Sequence, residues 1–435
     1  MTSVDDPGTA PEASHVRRTL EALWHMESAR IIARLARMLR NVGLAEELAQ
    51  DTLVSALEQW PRTGIPANPA AWMMTAARNR AIDQLRHAKL HERKSPMLRH
   101  DPDLLGTDGP TLEEEVDADI SDDLLRLMFI ACHPVLSTEA RVALTLRLLG
   151  GLTPEEIARA FLVTETTIQQ RIVRAKRTLT EARVPFELPR DEDRSSRLSS
   201  VLEVIYLIFN EGYVATSGDE WLRPALCEEA LRLARILSGL MSAESEVHGL
   251  VALLEIQASR NRARVGANGE PVLLLAQNRA QWDQLLIARG LQALSRAETT
   301  AGPLGPYALQ ASIAACHARA RTAEETDWRR IVALYDALAQ VAPSPIVALN
   351  RAVAVAMAYG PETGLQIVDV LRNDERLAGY HLLPSVRGDL LEKLGRFEEA
   401  LAEFARAAEL TRTGRERNLL LGRMTACERA ARRAN

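Results

Sequence analysis

The spacing of apolar residues constrains this chain most, because they recur at intervals of three and four along almost the whole sequence. That spacing is typical of one face of an α-helix, whereas a half-buried strand shows strict alternation. Glycine and proline are confined to short breaks, as expected for loops that join helices. Aromatic residues make up only 4% of the chain, which disfavours strands further. The sequence therefore predicts an all-α protein.

The breaks divide the 435 residues into three helical blocks. The predicted segments are, in order, a disordered tail (1–13), a helical domain (14–94), an acidic linker (95–123), a second helical domain (124–184), a hinge (185–196) and a large helical C-terminal domain (197–435). The linker is rich in Asp and Glu and contains no Lys or Arg from Asp101 to Asp123. Because like charges repel and apolar anchors are few, we expect it to be extended when free.

The C-terminal domain contains a pattern typical of tetratricopeptide-type helix pairs. Residues 394–407 read as the second helix of such a pair, with Gly388 in the first. The small Gly388, Ala400 and Ala407 would permit close helix packing, with Phe404 filling the gap. A generic helical hairpin stays open as the alternative. Farther upstream, Asn268-Gly269 is consistent with either a hairpin turn or a long loop.

The clearest local motif lies at residues 152–177. Thr153 is a good N-cap, Pro154 suits the first helical position, and Glu156 lies at capping-box distance. Thr164 then caps a second helix after a short turn. This pattern predicts a helix-turn-helix, whose second helix enters the major groove of DNA.

Apolar residues of this motif are expected to face inward; they are Ile157, Ala158 and Leu162 on the first helix and Ile168, Ile172 and Ala175 on the second. The outer face of the second helix is polar and basic, and glutamine pairs with adenine edges while arginine pairs with guanine or phosphate. The predicted DNA-binding residues are Thr166, Thr167, Gln169, Gln170, Arg171, Arg174 and Lys176. A helical hairpin with a solvated polar face is the alternative.

A second basic segment begins at Pro69 and continues to Lys89. Four of its residues are predicted to be buried: Trp72, Ala76, Ile82 and Leu85. Its positive charge comes from Arg78, Arg80, Arg86 and Lys89, against a lone Asp83. Taken with the helix-turn-helix, it predicts a second contact on the same duplex.

The helix just upstream has the opposite charge. Its predicted inward residues are Leu48, Leu53, Ala56, Leu57 and Trp60. Its predicted outer face consists of Glu46, Glu47, Gln50 and Asp51. DNA would repel this face, so the sequence favours a basic protein partner, although an ordinary solvated face is equally compatible with the charge.

The order of these segments resembles bacterial RNA polymerase sigma factors of the extracytoplasmic-function (ECF) type, which keep only regions two and four. The resemblance implies that the acidic helix, with Glu46, Glu47, Gln50 and Asp51, docks on the clamp coiled coil of the polymerase β′ subunit. It implies that the next helix reads and melts the minus-ten element, and that the helix-turn-helix reads the minus-thirty-five element. The minus-ten residues implied are Trp72, Arg78, Asn79, Arg80, Asp83 and Arg86.

Asn79 matches an asparagine near the flipped-out base, and Asp83 is expected to organise its basic neighbours. The remainder of the chain, including Phe209–Tyr213, resembles the tetratricopeptide-like extension of one ECF subclass. The implied partners are the polymerase core, through its β′ clamp and β subunit, and promoter DNA. We expect the extension to modulate activity, with an intramolecular contact to the sigma domains as one route.

Several function classes are disfavoured. The sequence has no phosphate-binding glycine loop, HExxH or GxSxG motif, and its four cysteines never form a CxxC pair. We therefore expect no enzymatic activity, no cofactor and no metal. No apolar run approaches the roughly 18–20 residues of a membrane helix, and the N-terminus lacks a signal-peptide core, so a cytoplasmic location is predicted. A helix-turn-helix regulator that acts without polymerase core is the alternative function.

Overall fold

The computed structural model describes residues 9–94, 114–213, 223–266, 270–300, 302–411 and 414–434. Within these residues it contains 18 α-helices and no strand beyond an isolated antiparallel bridge between Val265 and Pro271. The prediction of an all-α protein is confirmed. The chain forms two compact units, Met1–Ile205 and Tyr206–Asn435.

The first unit consists of seven helices and the beginning of an eighth. They are α1 (Thr9–Leu39), α2 (Val42–Thr63), α3 (Pro69–Lys94), α4 (Glu114–Ala131), α5 (Thr138–Leu148), α6 (Pro154–Phe161), α7 (Glu165–Glu181) and α8 (Asp191–Tyr213). Helix α1 is central and packs against α2, α3 and α4. Its apolar stripe includes Ile31, Ile32 and Leu35, which are fully buried, so this helix is the scaffold of the unit.

Three helices begin inside segments that the sequence had predicted to be irregular. Helix α1 begins within the predicted tail, α4 within the predicted acidic linker and α8 within the predicted hinge. In α4 the buried Asp123 forms ion pairs with Arg34, Arg37 and Arg126. These pairs locally offset the repulsion between carboxylates. The rest of the predicted linker, residues 95–113, lies outside the described residues.

The beginning of α8 is anchored in the first unit by side chains. Arg197 donates to the carbonyl oxygen of Phe129 at 2.8 Å, and the Ser200 hydroxyl donates to that of Cys132 at 2.6 Å. Arg141 of α5 in turn contacts Ser200. The first unit thus extends past residue 197, where the C-terminal domain was predicted to begin.

The second unit continues from α8 through ten more helices and four short 3₁₀ turns. The helices are α9 (Pro224–Leu240), α10 (Ser245–Ala258), α11 (Gln284–Thr299), α12 (Pro306–Arg319), α13 (Trp328–Val341), α14 (Pro345–Tyr359), α15 (Pro361–Leu371), α16 (Leu382–Lys393), α17 (Phe397–Leu410) and α18 (Gly414–Ala434). From α12 onward each helix packs against the next one in sequence, which is the arrangement of a helical repeat.

The tetratricopeptide-like pair predicted near the C-terminus is present as α16 and α17. A Cβ on Gly388 would lie 2.8 Å from the Phe404 ring, and Ala400 and Ala407 are fully buried beside it. Arg387 stands where such repeats usually have leucine. It is buried and pairs with Asp369 at 2.7 Å and Glu403 at 2.8 Å, so an ion-pair network replaces an apolar contact there.

Asn268-Gly269 lies outside the described residues. The segments on either side of it pair in an antiparallel manner. The backbone amide of Gly266 donates to the carbonyl oxygen of Glu270 at 2.9 Å, next to the bridge between Val265 and Pro271. The flanking residues therefore lie antiparallel, which is compatible with either interpretation of the sequence.

Close packing at Gly388 predicts a position-specific loss of stability. Because a Cβ there would overlap the Phe404 ring, Gly388→Ala should lower the free energy of unfolding by about 1–3 kcal/mol. Gly422→Ala in α18 is the control: a Cβ there meets nothing within 4 Å, and it should be neutral or stabilising by up to ~1 kcal/mol. Urea denaturation of the full chain measures both, and equal effects would contradict the packing.

Candidate nucleic-acid interface

Two capped helices form the helix-turn-helix that the sequence predicted. The Thr153 hydroxyl accepts from the Glu156 amide at 3.2 Å, while the Glu156 carboxylate accepts from the Thr153 amide at 2.8 Å, which completes a capping box. The Thr164 hydroxyl accepts from the Thr167 amide at the start of α7. Leu162 lies between the helices in the left-handed region, with φ 50°, and is 52% exposed. Its predicted burial was wrong, because this residue makes the turn.

Helix α7 presents most of its predicted DNA-binding residues to solvent. Ile168, Ile172 and Ala175 are buried as predicted, and the opposite face of α7 is open to solvent. Exposed on that face are Thr166, Gln169, Gln170 and Arg174, with Thr167, Arg171 and Lys176 half-buried. Gln169 donates to Glu165 at 2.8 Å on the same face. A polar, basic helix face of this kind has the geometry for the major groove.

Helix α3 places the second set of predicted DNA contacts on its outer surface. Arg78, Asn79, Asp83 and Arg86 are exposed, and Asp83 forms an ion pair with Arg86 at 3.5 Å. Arg80 instead turns toward α2, where its guanidinium donates to the Ser55 hydroxyl.

The buried face of α3 differs slightly from the prediction. It is centred on Met73, Ala77 and Ala81, which are fully buried, whereas Trp72, Ala76, Ile82 and Leu85 are half-buried. Trp72 meets the buried Trp60 of α2 edge-on, with ring centroids 5.4 Å apart. Part of the Trp72 ring is thus used to join the two helices.

The predicted acidic face of α2 is divided in two by the structure. Glu47 and Asp51 are exposed, as expected. Glu46, which the sequence placed on the same outer face, is only 3% exposed, so that prediction was wrong. Gln50 is half-buried and donates to the Glu46 carboxylate at 2.6 Å. Leu57, expected to pack inward, is 41% exposed.

Glu46 is buried because two cations from the helix-turn-helix half of the unit reach it. Arg147 of α5 donates to one carboxylate oxygen at 2.6 Å, and the Lys176 ammonium of α7 pairs with the other. Burial alone would raise the pKa of Glu46, but Lys176 and Arg147 outweigh that effect and lower the pKa below its ordinary value. The carboxylate therefore stays ionised while inaccessible.

Two further contacts support the same packing. The Lys176 side chain lies beside Gly43, at the beginning of α2. A Cβ on Gly151, in the turn before α6, would lie 2.9 Å from the Ser28 hydroxyl of α1. The α1–α2 half and the α5–α7 half of the unit are thus in direct contact, with Glu46 at the centre of the polar part.

Both halves of the first unit match known protein families. Residues 23–90 match Sigma-70 region 2, and residues 126–179 match Sigma-70 region 4. The ECF RNA polymerase sigma factor SigL of Mycobacterium tuberculosis is 30% identical over 37% of this chain and 86% of SigL. The RNA polymerase sigma factor CarQ of Myxococcus xanthus is 31% identical over 32% of this chain and 73% of CarQ.

The chain belongs to the ECF RNA polymerase sigma factors. Region 2 is the α1–α3 part of the first unit, and region 4 contains the helix-turn-helix. A sigma factor of this kind has polymerase core and promoter DNA as its partners, and the sigma family is not a family of enzymes. The match to region 2 favours this function over that of a helix-turn-helix regulator acting alone, which would leave α2 and α3 without a role.

The rest of this sigma factor also has relatives. Residues 197–298 match a family of unknown function, DUF6596. An uncharacterized protein of Rhizobium meliloti (strain 1021) is 46% identical over 88% of this chain and 89% of its own length. The combination of sigma regions with the helical second unit is therefore shared by at least one other protein.

Within the DUF6596 match, the Asn-Glu-Gly-Tyr segment at the end of α8 is structural. Glu211 forms an ion pair with Arg223. A Cβ on Gly212 would lie 2.7 Å from the backbone nitrogen of Cys227, so the glycine admits α9. In the part of the chain that the structure describes, no cluster of three or more metal-ligating side chains occurs, and no helix has the length and hydropathy to cross a membrane.

Sequence reasoning missed the partners of Glu46. Arg147 lies in α5, which has no charge pattern that points to a partner, and Lys176 was predicted to bind DNA. Both are about 100 residues or more away from Glu46 in sequence, so no local period could connect them. The one available signal was Gly43, a residue without a side chain at the start of an otherwise strong helix.

The Glu46 pairing predicts an effect on stability. Lys176→Met leaves the buried carboxylate with Arg147 as its remaining cation and should lower the free energy of unfolding by about 1–3 kcal/mol. Arg174→Met, an exposed position on the same helix, is the control and should change it by less than about 0.5 kcal/mol. Urea denaturation is the measurement, and a Lys176→Met variant as stable as the control would refute the pairing.

Proposed function

We propose that this sigma factor binds polymerase core through the exposed part of α2 and reads a promoter through α3 and α7. Glu47 and Asp51 are exposed acidic side chains one helical turn apart on α2, and they suit a basic docking surface such as the β′ clamp. Gln50 lies between them and would contribute a hydrogen bond. The exposed acidic pair is the observation that carries the docking assignment.

Promoter recognition is assigned to two separate surfaces. Gln170 and Arg174 on α7 would contact base edges and phosphates of the minus-thirty-five element. Arg78, Asn79 and Arg86 on α3 would hold the minus-ten element, where Asn79 stands beside an extruded base. Extruding a base costs a few kcal/mol of stacking, which a protein pocket offsets.

In the free protein, the ion pairs of Glu46 hold region 2 against region 4. We call this arrangement the closed form. Lys176 cannot neutralise Glu46 and a DNA phosphate together, and Glu46 cannot meet a polymerase subunit while it is buried. We therefore expect separation of region 2 from region 4 to accompany engagement of core, because it would release both side chains. The equilibrium moves only by the difference in affinity of core for the open and closed forms.

The remaining assignments concern the second unit and the cellular context. We assign the second unit a modulating role, because a covalent tether keeps even a weak intramolecular contact well occupied. Its stacked helix pairs are typical of protein-binding domains. The protein would act in the cytoplasm, without catalysis of its own.

Charge reversal on α2 tests core binding. The Glu47→Lys/Asp51→Lys double variant should lose most of its co-purification with polymerase core, because attraction becomes repulsion. The matched control is Glu398→Lys/Glu409→Lys, two exposed positions on α17 that change the net charge equally. Undiminished recovery of core with the α2 variant would overturn the docking assignment.

Transcription from pooled genomic fragments tests the promoter surfaces. With core, the full-length chain should produce defined 5′ ends. Gln170→Ala and Asn79→Ala should each weaken initiation by about 1–3 kcal/mol, or roughly 5- to 150-fold. Gln281→Ala, in a 3₁₀ turn of the second unit, is the control and should initiate transcription like the unaltered chain. No defined start with the unaltered chain and core would contradict the proposed function.

A further inference from the structure

A cationic cleft lies where region 2 meets region 4 in the first unit. It has a volume of about 600 Å³, within the range of small-molecule sites. One wall comes from the α1–α2 turn and the other from the end of α7 and the segment after it. Its charged lining residues are Arg37, Arg40, Arg126, Lys176, Arg183 and Glu187. Five cations therefore face one carboxylate across the cleft.

Two buried carboxylates form ion pairs with three of those cations. Lys176 pairs with Glu46, and both Arg37 and Arg126 pair with Asp123. Arg40 and Arg183 are exposed and form no ion pair with the residues that the structure describes. The cleft thus keeps unbalanced positive charge, concentrated on two side chains.

Those two arginines also share an unusual backbone conformation. Arg40 follows α1 and Arg183 follows α7, each with φ 49°. Glycine is the usual residue at such left-handed positions after a helix, and a residue with a side chain adopts them at a cost in free energy. Two of the three non-glycine residues with positive φ in the described ranges line this cleft. Arginine stands at both places despite that cost, and both arginines line the cleft.

Apolar residues also line the cleft. Ile130, Leu179, Val184, Pro185 and Phe186 contribute to its lining. A guanidinium pair recognises phosphate oxygens by bidentate hydrogen bonds, and an aromatic ring stacks on a nucleobase without regard to its identity. We propose that this cleft binds a nucleoside polyphosphate, with its phosphates on Arg40 and Arg183 and its base against the Phe186 wall.

Binding at this site is coupled to the closed form. Lys176 lines the cleft, and its pair with Glu46 joins the two regions that form the cleft walls. Removing the carboxylate charge weakens that junction, so Glu46→Gln should weaken binding of the polyphosphate. The coupling is independent of whether α2 docks on polymerase.

Isothermal titration of the full chain with ATP, inorganic pyrophosphate and adenosine tests the proposal. ATP should bind saturably and more tightly than pyrophosphate, and adenosine should bind much more weakly than either. Arg40→Gln and Arg183→Gln should each weaken ATP binding about tenfold, the effect of losing one charge-assisted hydrogen-bonding group. Arg30→Gln, an exposed arginine on α1 outside the cleft, should bind ATP like the unaltered chain.

Each other outcome overturns a defined part of the proposal. Absence of saturable ATP binding, or binding that both cleft variants leave unchanged, refutes the site. Equal affinity for ATP and pyrophosphate refutes the role of the Phe186 wall and hence the nucleoside. ATP binding by Glu46→Gln that is as tight as that of the unaltered chain, or tighter, refutes the coupling to the closed form. Far-ultraviolet circular dichroism of every variant separates these outcomes from misfolding.

Discussion

The ion pairs of Glu46 with Arg147 and Lys176 determine how the first unit of this sigma factor is arranged. A buried carboxylate is costly unless cations and hydrogen bonds meet it, and here Arg147, Lys176 and Gln50 meet it together. The pairing joins region 2 to region 4. It also occupies one residue assigned to polymerase and one assigned to DNA, so the same contact that stabilises the free protein withholds two of its functional side chains.

Solvent exposure in the closed form distinguishes functional side chains that can bind a partner directly from Glu46 and Lys176, whose ion pair must break first. Glu47, Asp51, Asn79, Gln170 and Arg174 are open to solvent in the closed form. The second unit is held together differently, by repeated helix pairs whose contacts are mostly apolar. In that unit, sequence departures from the usual repeat are compensated in space, as Arg387 is by Asp369 and Glu403.

Local features of the fold could be predicted from the sequence because their causes are local. Caps at Thr153 and Thr164 and the buried face of α7 follow from residues a few positions apart, and the close contact at Gly388 follows from the pattern of one helical pair. The extent of helices was harder to predict: α4 includes acidic residues, and arginines of α1, which is distant in sequence, pair with its Asp123.

The candidate site was predicted less completely than the fold. Helical spacing placed Glu46 on the outer face of α2, and only the position of α5 and α7 shows that this part of the face is covered. Arg40 and Arg183 could not be singled out either, because their conformation after a helix depends on how the chain continues. Contacts between helices that are far apart in the sequence produce no periodic pattern of residues.

The distance between α2 and α7 is the most direct test of the central claim, that Glu46 holds the two regions together until core separates them. Spin labels on cysteines introduced at the exposed Gln59 and Arg177 would report it. The four native cysteines are buried, and burial raises the pKa of Cys132 to about 11 and that of Cys227 to about 12, which keeps these thiols unreactive. We predict a single short distance in the free chain and a longer one with core bound. The same distance in both states would contradict the account.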